Sequence, residues 1–208
     1  MKYFLLIISG IILLFLSAYW VKCQFGINVF ESSLSKYFPF KYLQGRSTHI
    51  VENPKSGKLL ADSFEIPIWS KRNWSGLWAR EKDLVVSTLG DCSLGSSKCL
   101  HIVSKSSKDW AYQHINNIGV AKGDVFRYQA RVINKSDGDV YVRMVAYDKN
   151  MKALNWNYAG KKIAQGVDWV DVKNEFMVDG LMKYIRFGIS GSGVGAVWMD
   201  DVVFEKMR

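Results

Sequence analysis

The sequence predicts an all-β domain, a sandwich or a barrel, preceded by an N-terminal transmembrane helix. From residue 62 onward the chain is a series of short runs rich in β-branched and aromatic residues, with turn signals about every dozen residues. No long helical pattern follows residue 40. The third observation is a charge-free run near the N-terminus that has the length of a membrane-spanning helix.

Residues 1–22 are predicted to be a transmembrane anchor or a signal sequence. The run Tyr3–Val21 contains no charge, and Lys2 and Lys22 flank it. As a helix this run spans about 29 Å, the hydrocarbon thickness of a bilayer. A signal peptidase prefers a small residue three positions before its cut, where this chain offers Leu16. We therefore expect an uncleaved, single-pass anchor with the C-terminal domain outside the cytoplasm, in a periplasmic or extracellular location.

Residues 23–60 are predicted to form a stalk that begins with a short amphipathic helix. Apolar residues recur there at helical spacing, at Ile27, Phe30, Leu34 and Phe38. The following residues show no sustained periodicity. The stalk therefore ends where the β-type runs begin.

Eight runs within residues 61–208 are predicted to be strands of one β-sandwich. They are Leu84–Ser87, Leu100–Val103, Ala111–Ile118, Val125–Ile133, Val140–Tyr147, Trp169–Phe176, Lys183–Ile189 and Ala196–Phe204. Apolar and polar residues alternate in several of them, as in a strand with one buried and one solvated face.

Charge and cysteine usage narrow the classes of partner. The formal net charge is +9, but residues 62–208 carry only +4 of it, so nucleic acid is not implied. Cys92 and Cys99 bracket a short turn rich in Gly and Ser, and outside the cytoplasm we expect them to form a disulfide. The three histidines are scattered and no Cys-x-x-Cys occurs, which argues against a zinc site.

Short motifs follow one another in a recognisable order between about residues 60 and 206. In sequence they are Asp62-Ser63-Phe64-Glu65, a nearby Trp, Leu100-His101-Ile102, Gln113, Gly123, Tyr128, Asp168-Trp169, Ile185-Arg186-Phe187 and Val197-Trp198-Met199-Asp200-Asp201-Val202. This order resembles the carbohydrate-binding modules of families 4, 9 and 22, which are appended to cellulases and xylanases. The resemblance implies a galactose-binding-like jelly roll over residues 61–208 and a polysaccharide or glycan as partner.

The resemblance also implies a structural Ca²⁺ ion held by Glu65 and Asp200, with Asp201 as a further candidate ligand. The chemistry agrees, because Ca²⁺ prefers several hard oxygen ligands. Adjacent carboxylates in an apolar strand repel each other and resist burial unless a cation compensates them. The alternative is a strand end at which both acids are hydrated.

A sugar site needs aromatic rings for the C–H faces and Arg, Gln or Asn side chains for the hydroxyls. We predict that one polar-aromatic face of the sheet, with a nearby loop, supplies both kinds of group. The predicted ligand-binding residues are Arg127, Gln129, Arg131, Tyr141, Arg143, Tyr147 and Trp156. The alternative is that this row is an ordinary solvated strand face.

Catalysis has little support in the sequence. Glycosidases need two carboxylates that face each other across a cleft, whereas strand alternation is expected to send Asp200 and Asp201 to opposite faces. No nucleophile elbow or phosphate loop occurs. The sequence therefore predicts a non-catalytic, membrane-anchored, extracytoplasmic carbohydrate-binding domain. The alternatives are a structural or protein-interaction domain of an envelope complex without sugar binding, and an accessory domain associated with a glycoside hydrolase.

Overall fold

The structure is a computed structural model that describes residues 49–92 and 98–208. The predicted anchor in residues 1–22 and the amphipathic helix predicted within Ile27–Phe38 lie outside these residues. Within the described ranges, no helix is long and apolar enough to cross a membrane.

The described residues form a two-sheet sandwich with almost no helix, so the all-β prediction is confirmed. The elements in chain order are β1 (Ile50–Val51), β2 (Gly57–Asp62), α1 (Pro67–Asn73), β3 (Trp74–Ala79), a 3₁₀ turn (Lys82–Leu84), β4 (Val85–Asp91), β5 (Lys98–Ser104), β6 (Trp110–His114), β7 (Asn117–Gly119), β8 (Val125–Asn134), β9 (Val140–Tyr147), β10 (Ala153–Lys162), β11 (Val170–Met177), β12 (Tyr184–Gly191) and β13 (Gly195–Lys206).

Each sheet is organised around one long strand from the end of the chain. In sheet A, β12 pairs with β9 along one side and with β7 and β6 along the other. Strand β10 continues the sheet beyond β9, while β1 lies beside β7 and β3 beside β6. In sheet B, β13 pairs with β8 along one side and with β5 and β2 along the other, and β11 and β4 form the outer edges. This arrangement is consistent with a jelly roll.

Alternation along the strands decides which side chains lie between the sheets. In β8, Phe126 and Tyr128 are buried, whereas Arg127 between them is exposed. The ring of Phe126 stacks on Phe204 of β13 at 5.4 Å between centroids, and Phe187 of sheet A lies 6.1 Å from Phe204. Burying a side chain of this size contributes about 1.5–3 kcal/mol. This shared core joins the two sheets and determines which face of each sheet points outward.

Three parts of the predicted organisation need correction. Strands β1 and β2 begin before residue 61, so the sandwich includes the last part of the segment predicted as stalk. The predicted strand Ala111–Ile118 is divided into β6 and β7. Trp156 lies in β10 rather than in a loop, and its side chain is 63% exposed. Strand β10 was missed because it is an edge strand with three register shifts, and its exposed residues show no alternation.

Candidate functional site

The predicted ligand-binding set is divided between the two sheets, so the prediction that it forms one face is wrong. Arg127, Gln129 and Arg131 lie on β8 in sheet B, whereas the other members lie in sheet A, on β9 and, for Trp156, on β10. Because β8 and β9 belong to different sheets, their solvent-facing sides lie on opposite surfaces of the sandwich. The two surfaces are therefore described separately.

On the outer face of sheet A, residues from four strands form aligned rows. Cross-strand partners share a face, and the register places Arg143 of β9 opposite Gly188 of β12, which in turn lies opposite Gln113 of β6. The neighbouring row contains Tyr141 and Ser190. We call the six residues that interact on this face the arginine cluster: Gln113, Asn117, Arg143, Tyr147, Arg186 and Ser190.

Neutral groups hold both guanidinium groups of the arginine cluster. Arg143 donates through Nε to the Ser190 hydroxyl at 2.6 Å. Arg186 donates through Nε to Asn117 Oδ1 at 2.8 Å and through Nη1 to Gln113 Oε1 at 3.4 Å. Each guanidinium is thus oriented without using a carboxylate. No ion pair found within residues 49–92 and 98–208 involves Arg143 or Arg186.

Burial makes these two charges unusual. Arg143 is only 4% exposed, and its Nη1 is buried without a hydrogen-bond partner, as is Nδ2 of Asn117. Burial lowers the pKa of Arg143 to about 10, an effect that Tyr147 partly opposes, so the side chain is still cationic at neutral pH. Burial lowers the pKa of Arg186 as well. The cluster therefore combines two cations with N–H donors that the described protein groups leave unsatisfied.

A glycine lies at the centre of the arginine cluster because no side chain fits there. A Cβ atom at Gly188 would lie 2.7 Å from the carbonyl oxygen of Tyr112 and 3.1 Å from Cγ of Gln113. Gly188 therefore forms a buried backbone floor between Arg143 and Gln113, with the Gln113 side chain packed close against it.

Aromatic side chains border this floor. Trp78 of β3 is 52% exposed and lies opposite Ala111 in the row that continues to Tyr141. The Tyr141 hydroxyl donates to Asp139 at 3.2 Å, and the Tyr184 hydroxyl donates to Glu52 at 2.9 Å. Exposed rings beside oriented N–H donors can contact both the C–H faces and the hydroxyls of a sugar.

On the outer face of sheet B the arginines are already paired with acids. Arg127 donates to Glu175 of β11 at 2.8 Å. Arg131 lies 3.5 Å from a carboxylate oxygen of Asp201, and its guanidinium covers the Trp169 ring at 5.1 Å. A cavity of 440 Å³ on this face is lined by Ala61, Asp62, Ser63, Gln129, Ala130, Arg131, Asp171, Lys173, Asp201, Val202 and Val203. Exposed pairs of this kind are typical of a solvated strand face.

The acidic pair of the last strand departs from the expected alternation. A β-bulge interrupts β13 after Asp200, and Asp201 has a φ of 47°, in the left-handed region. Asp200 lies opposite Arg131 in the register, and the Arg131 guanidinium also reaches Asp201. The prediction that the two carboxylates point to opposite faces is therefore wrong. Both belong to one strand, however, and they do not form the two walls of a cleft.

Asp200 is buried beside other carboxylates. It is 4% exposed and accepts a hydrogen bond from the N–H of Asp201 at 2.7 Å. The pKa of Asp200 is raised to about 6, chiefly by burial and also by the charges of Asp201 and Glu65, while the Asp201 N–H and Arg131 partly oppose the rise. Glu65 accepts from the N–H of Lys98 at 3.1 Å. In the part of the chain that the structure describes, no group of three or more His, Cys, Asp or Glu residues is arranged to hold a metal.

The cysteines flank a small cluster on sheet B. Cys92 and Cys99 are joined by a disulfide, with 5.6 Å between their Cα atoms. They pack with Ile133 and Trp198, and the His101 ring stacks on Trp198 at 4.5 Å. Trp198 is thus a packing residue.

Comparisons with known proteins identify the fold. No protein-family model matches the sequence, and no curated protein does. The structure is similar to the CBM22-1 xylan-binding domain of Xyn10C from Paenibacillus barcinonensis, with a TM-score of 0.51 and 14% identity over 74% of this chain and 96% of that domain. The resemblance to carbohydrate-binding modules is confirmed at the level of the fold.

Two further structures extend this comparison. The C-terminal family 22 carbohydrate-binding module of Clostridium thermocellum Xyn10B matches with a TM-score of 0.51 and 11% identity, over 75% of this chain and 97% of that module. The enzymatically active domain of bacteriophage CBA120 tailspike protein 4 matches with a TM-score of 0.53 and 16% identity, over 64% of this chain. That match covers only 19% of the tailspike chain. The fold is thus shared by binding modules and by a part of a larger protein.

Several members of the site were not predicted as ligand-binding residues. They are Gln113, Asn117, Arg186, Ser190 and the bordering Trp78. Arg186 carried a usable signal, since it stands between Ile185 and Phe187, which alternation assigns to the core, and shares its own side of the strand with Tyr184 and Ser190. An arginine at the outward position of such a strand, in line with Tyr184, indicates a polar face with a specific role.

Proposed function

We propose that the chain is a non-catalytic carbohydrate-binding protein whose poly- or oligosaccharide ligand lies on the outer face of sheet A. The observation that carries this proposal is the arginine cluster. Arg143 and Arg186 are oriented there by neutral groups, and no carboxylate of the described residues pairs with them. Arg186, which is partly exposed, offers N–H groups to sugar oxygens, and the buried Arg143 adds positive charge beside it.

The expected affinity follows from the small number of aromatic contacts. Stacking on an exposed ring such as Trp78 buries ~150 Å², which is worth roughly 4 kcal/mol at ~25 cal/mol/Å² before the entropy cost of binding. One or two such contacts with several hydrogen bonds give dissociation constants in about the high micromolar to millimolar range. Binding at this strength suits a polysaccharide, on which many copies of the same unit are available.

The likeness to xylan-binding domains supports a glycan ligand, although it concerns the fold alone. A protein partner within an envelope complex, and association with a glycoside hydrolase on another chain, are the competing functions. The arginines on sheet B, which are ion-paired with acids of neighbouring strands, support neither of these two competing functions.

We further propose that the domain lies outside the cytoplasm and is held at the membrane by residues 1–22. The charge-free run Tyr3–Val21 supports an anchor. The Cys92–Cys99 disulfide supports an oxidising compartment, because disulfides are rare in the cytosol.

A structural Ca²⁺ ion at Glu65 and Asp200 is also part of the proposal. The residues fit such an ion in charge, because the carboxylates of Asp201 and Glu65 act on the buried Asp200, and only the Asp201 N–H and Arg131 oppose them. Carboxylate oxygens of Glu65 and Asp200, joined by backbone carbonyls, would hold the ion, and its charge would offset the repulsion between these acids. Its role would be to join the first part of the sandwich to the last strand.

Affinity electrophoresis of the full-length protein against a panel of polysaccharides tests the binding function. Retardation by a polysaccharide that Arg186→Ala abolishes and Arg127→Ala preserves supports the site on sheet A. The two variants are matched, because each removes one outward arginine, but from opposite sheets. Retardation lost only in Arg127→Ala would move the site to sheet B. Retardation by no polysaccharide would reject the function, and release of reducing sugar would revive a hydrolase.

A further inference from the structure

The arginine cluster lacks the partner that buried cations normally have. Charged side chains are almost never fully buried unless they are paired, because desolvating an isolated charge is costly. Arg143 is nevertheless 4% exposed, and the partner it has is a hydroxyl. Arg186 is held by two amide oxygens. The outward arginines of sheet B show the usual solution, since Arg127 and Arg131 both reach carboxylates of neighbouring strands.

Two acids at the border of this face, Glu52 and Asp139, already have partners. Glu52 accepts from the Tyr184 hydroxyl, and Asp139 pairs with Lys162 at 2.6 Å. Neither acid contributes to the pKa shift of Arg143 or Arg186. Within residues 49–92 and 98–208, the cluster therefore has an excess of donors and of positive charge.

We propose that the ligand of the arginine cluster is an acidic saccharide, one whose sugar units carry a carboxylate, as uronates do. This inference rests on the proposed function and specifies its ligand class. A carboxylate accepts hydrogen bonds without donating any, and an arginine can bind it with two parallel N–H···O bonds. A neutral sugar would satisfy some donors but would leave both charges uncompensated in a site of low dielectric.

The geometry allows one carboxylate to be attracted by both arginines. Arg143 lies opposite Gly188, which is two residues from Arg186 on the same strand, so the two arginines are diagonal neighbours about 7–8 Å apart. Arg186 is partly exposed and offers the direct contact, whereas the buried Arg143 supplies charge from below. Gly188, between them, carries no side chain of its own, and the Gln113 side chain packs close to its backbone.

Isothermal titration of the full-length protein with an oligogalacturonate and with its methyl ester isolates the effect of charge. The two probes share one backbone and differ in the carboxylate, and the same comparison with an oligomannuronate covers a second geometry. We expect the acid form of at least one probe to bind about tenfold tighter than its ester, because charge-assisted hydrogen bonds are roughly twice as strong as neutral ones. This preference should shrink as salt is added.

Variants show which arginine causes the preference for the acid form over the ester. Arg186→Gln should remove it, Arg186→Lys should retain only part of it because the charge remains without the paired N–H donors, and Arg127→Gln on sheet B should leave it unchanged. A thermal melt of each variant confirms folding.

Three results would overturn the inference in distinguishable ways. Equal binding of acid and ester, or binding of neutral oligosaccharides alone, refutes the acidic ligand and leaves the carbohydrate function standing. Equally tight binding of dextran sulfate shows attraction to anions in general and rejects specificity for carboxylate sugars. Binding of no saccharide, acidic or neutral, rejects the proposed function together with this inference.

Discussion

The guanidinium carbon of Arg186 lies 5.3 Å from the centroid of the Tyr147 ring, on the neighbouring strand of sheet A. The tyrosine is almost completely buried, so the ring is a fixed support. On the other side the guanidinium donates to Asn117 and Gln113. The cation is therefore held in place by a ring and two amides before any ligand arrives, which lowers the entropy cost of binding.

Replacing Tyr147 by Ala should weaken saccharide binding about twofold to thirtyfold, because a cation–π contact of this kind is worth about 0.5–2 kcal/mol. Tyr147→Phe keeps the ring and should bind like the wild type. Isothermal titration with the best-binding saccharide measures both. If Tyr147→Phe lost as much affinity as Tyr147→Ala, the hydroxyl rather than the ring would carry the effect, and the support role would be wrong.

Replacing Arg143 by Met should raise the free energy of unfolding by about 1 kcal/mol while weakening the binding of acidic saccharides. The reason is that a buried charge without an ionic partner is often less favourable than an apolar side chain of similar length. Denaturant unfolding measures the first effect and titration the second. Arg127→Met is the control, since this exposed arginine should change stability by less than about 0.5 kcal/mol. A marked loss of stability in Arg143→Met would contradict the prediction.

Asp62 organises the entry into helix α1. Its carboxylate accepts from the N–H of Phe64 at 2.8 Å, the hydroxyl of Ser70 at 2.7 Å and the indole N–H of Trp74 at 3.0 Å. Asp62→Ala should therefore destabilise the domain by about 2–4 kcal/mol, because a buried indole N–H loses its acceptor. The matched control is Asp109→Ala, which removes an exposed pair with Arg80 and should cost less than about 1 kcal/mol. Equal losses in the two variants would disprove the role given to Asp62.

His114 should lower the stability as the pH falls, whereas Asp200, whose pKa is raised to about 6, acts in the opposite direction over the same range when no ion is bound. Burial lowers the pKa of His114 to about 4, with Arg186 adding to this effect and Asp62 opposing it. As the pH falls, the His114 imidazole is therefore protonated in the unfolded chain before it is protonated in the folded protein. The contribution of neutral His114 to stability is complete above pH 6.5 and is lost as the pH falls toward 4. The loss amounts to as much as about 3 kcal/mol.

Denaturant unfolding at a series of pH values between about 4 and 7 measures this effect. In an Asp200→Asn background, which removes the opposing carboxylate, His114→Gln should flatten the dependence on pH in that window, although it also lowers stability at neutral pH through lost packing. His49→Gln removes an exposed histidine and should leave the slope unchanged. A slope that survives in His114→Gln would assign the acid sensitivity to other groups.

Alternation in the sequence predicted the inward and outward sides of the strands, but not the sheet to which each strand belongs. In β8 the buried Phe126 and the exposed Arg127 follow the predicted pattern. The same pattern in β9 correctly marks Arg143 as pointing away from the core. Side chains alternate with the same two-residue period in both sheets, however. Whether the chain passes from one sheet to the other between β8 and β9 depends on tertiary packing. The predicted sugar site was divided for that reason.

The bulge at Asp201 lay beyond sequence reasoning for a related cause. Its left-handed backbone conformation is uncommon outside glycine and depends on the strands around it. At this point β13 leaves β5 and begins to pair with β2, and Asp201 itself belongs to neither pairing. The acidic composition of the site was readable in the sequence, but the side of the sheet on which Asp201 lies was not.

Calcium should stabilise the full-length protein through Glu65 and Asp200. An ion that binds only the folded state raises stability by RT ln(1 + [L]/Kd), which at about 100 times Kd shifts the melting temperature of a domain of this size by roughly 5–10 °C. Melts in chelator and in calcium measure the shift. Asp200→Asn and Glu65→Gln should abolish it.

The behaviour of Asp200→Asn in chelator separates a metal site from a merely hydrated acid. Without the ion, a buried carboxylate beside Asp201 and Glu65 opposes folding at neutral pH, so the neutral amide should stabilise the protein by roughly 1–3 kcal/mol. Asp171→Asn changes an exposed acid on the same sheet and should alter neither the melt in chelator nor the calcium shift. Asp200→Asn should thus be the more stable protein in chelator and gain nothing from calcium. If wild type and Asp200→Asn gained equally from calcium, the ion would bind elsewhere; if neither gained, the acidic cluster would hold no metal.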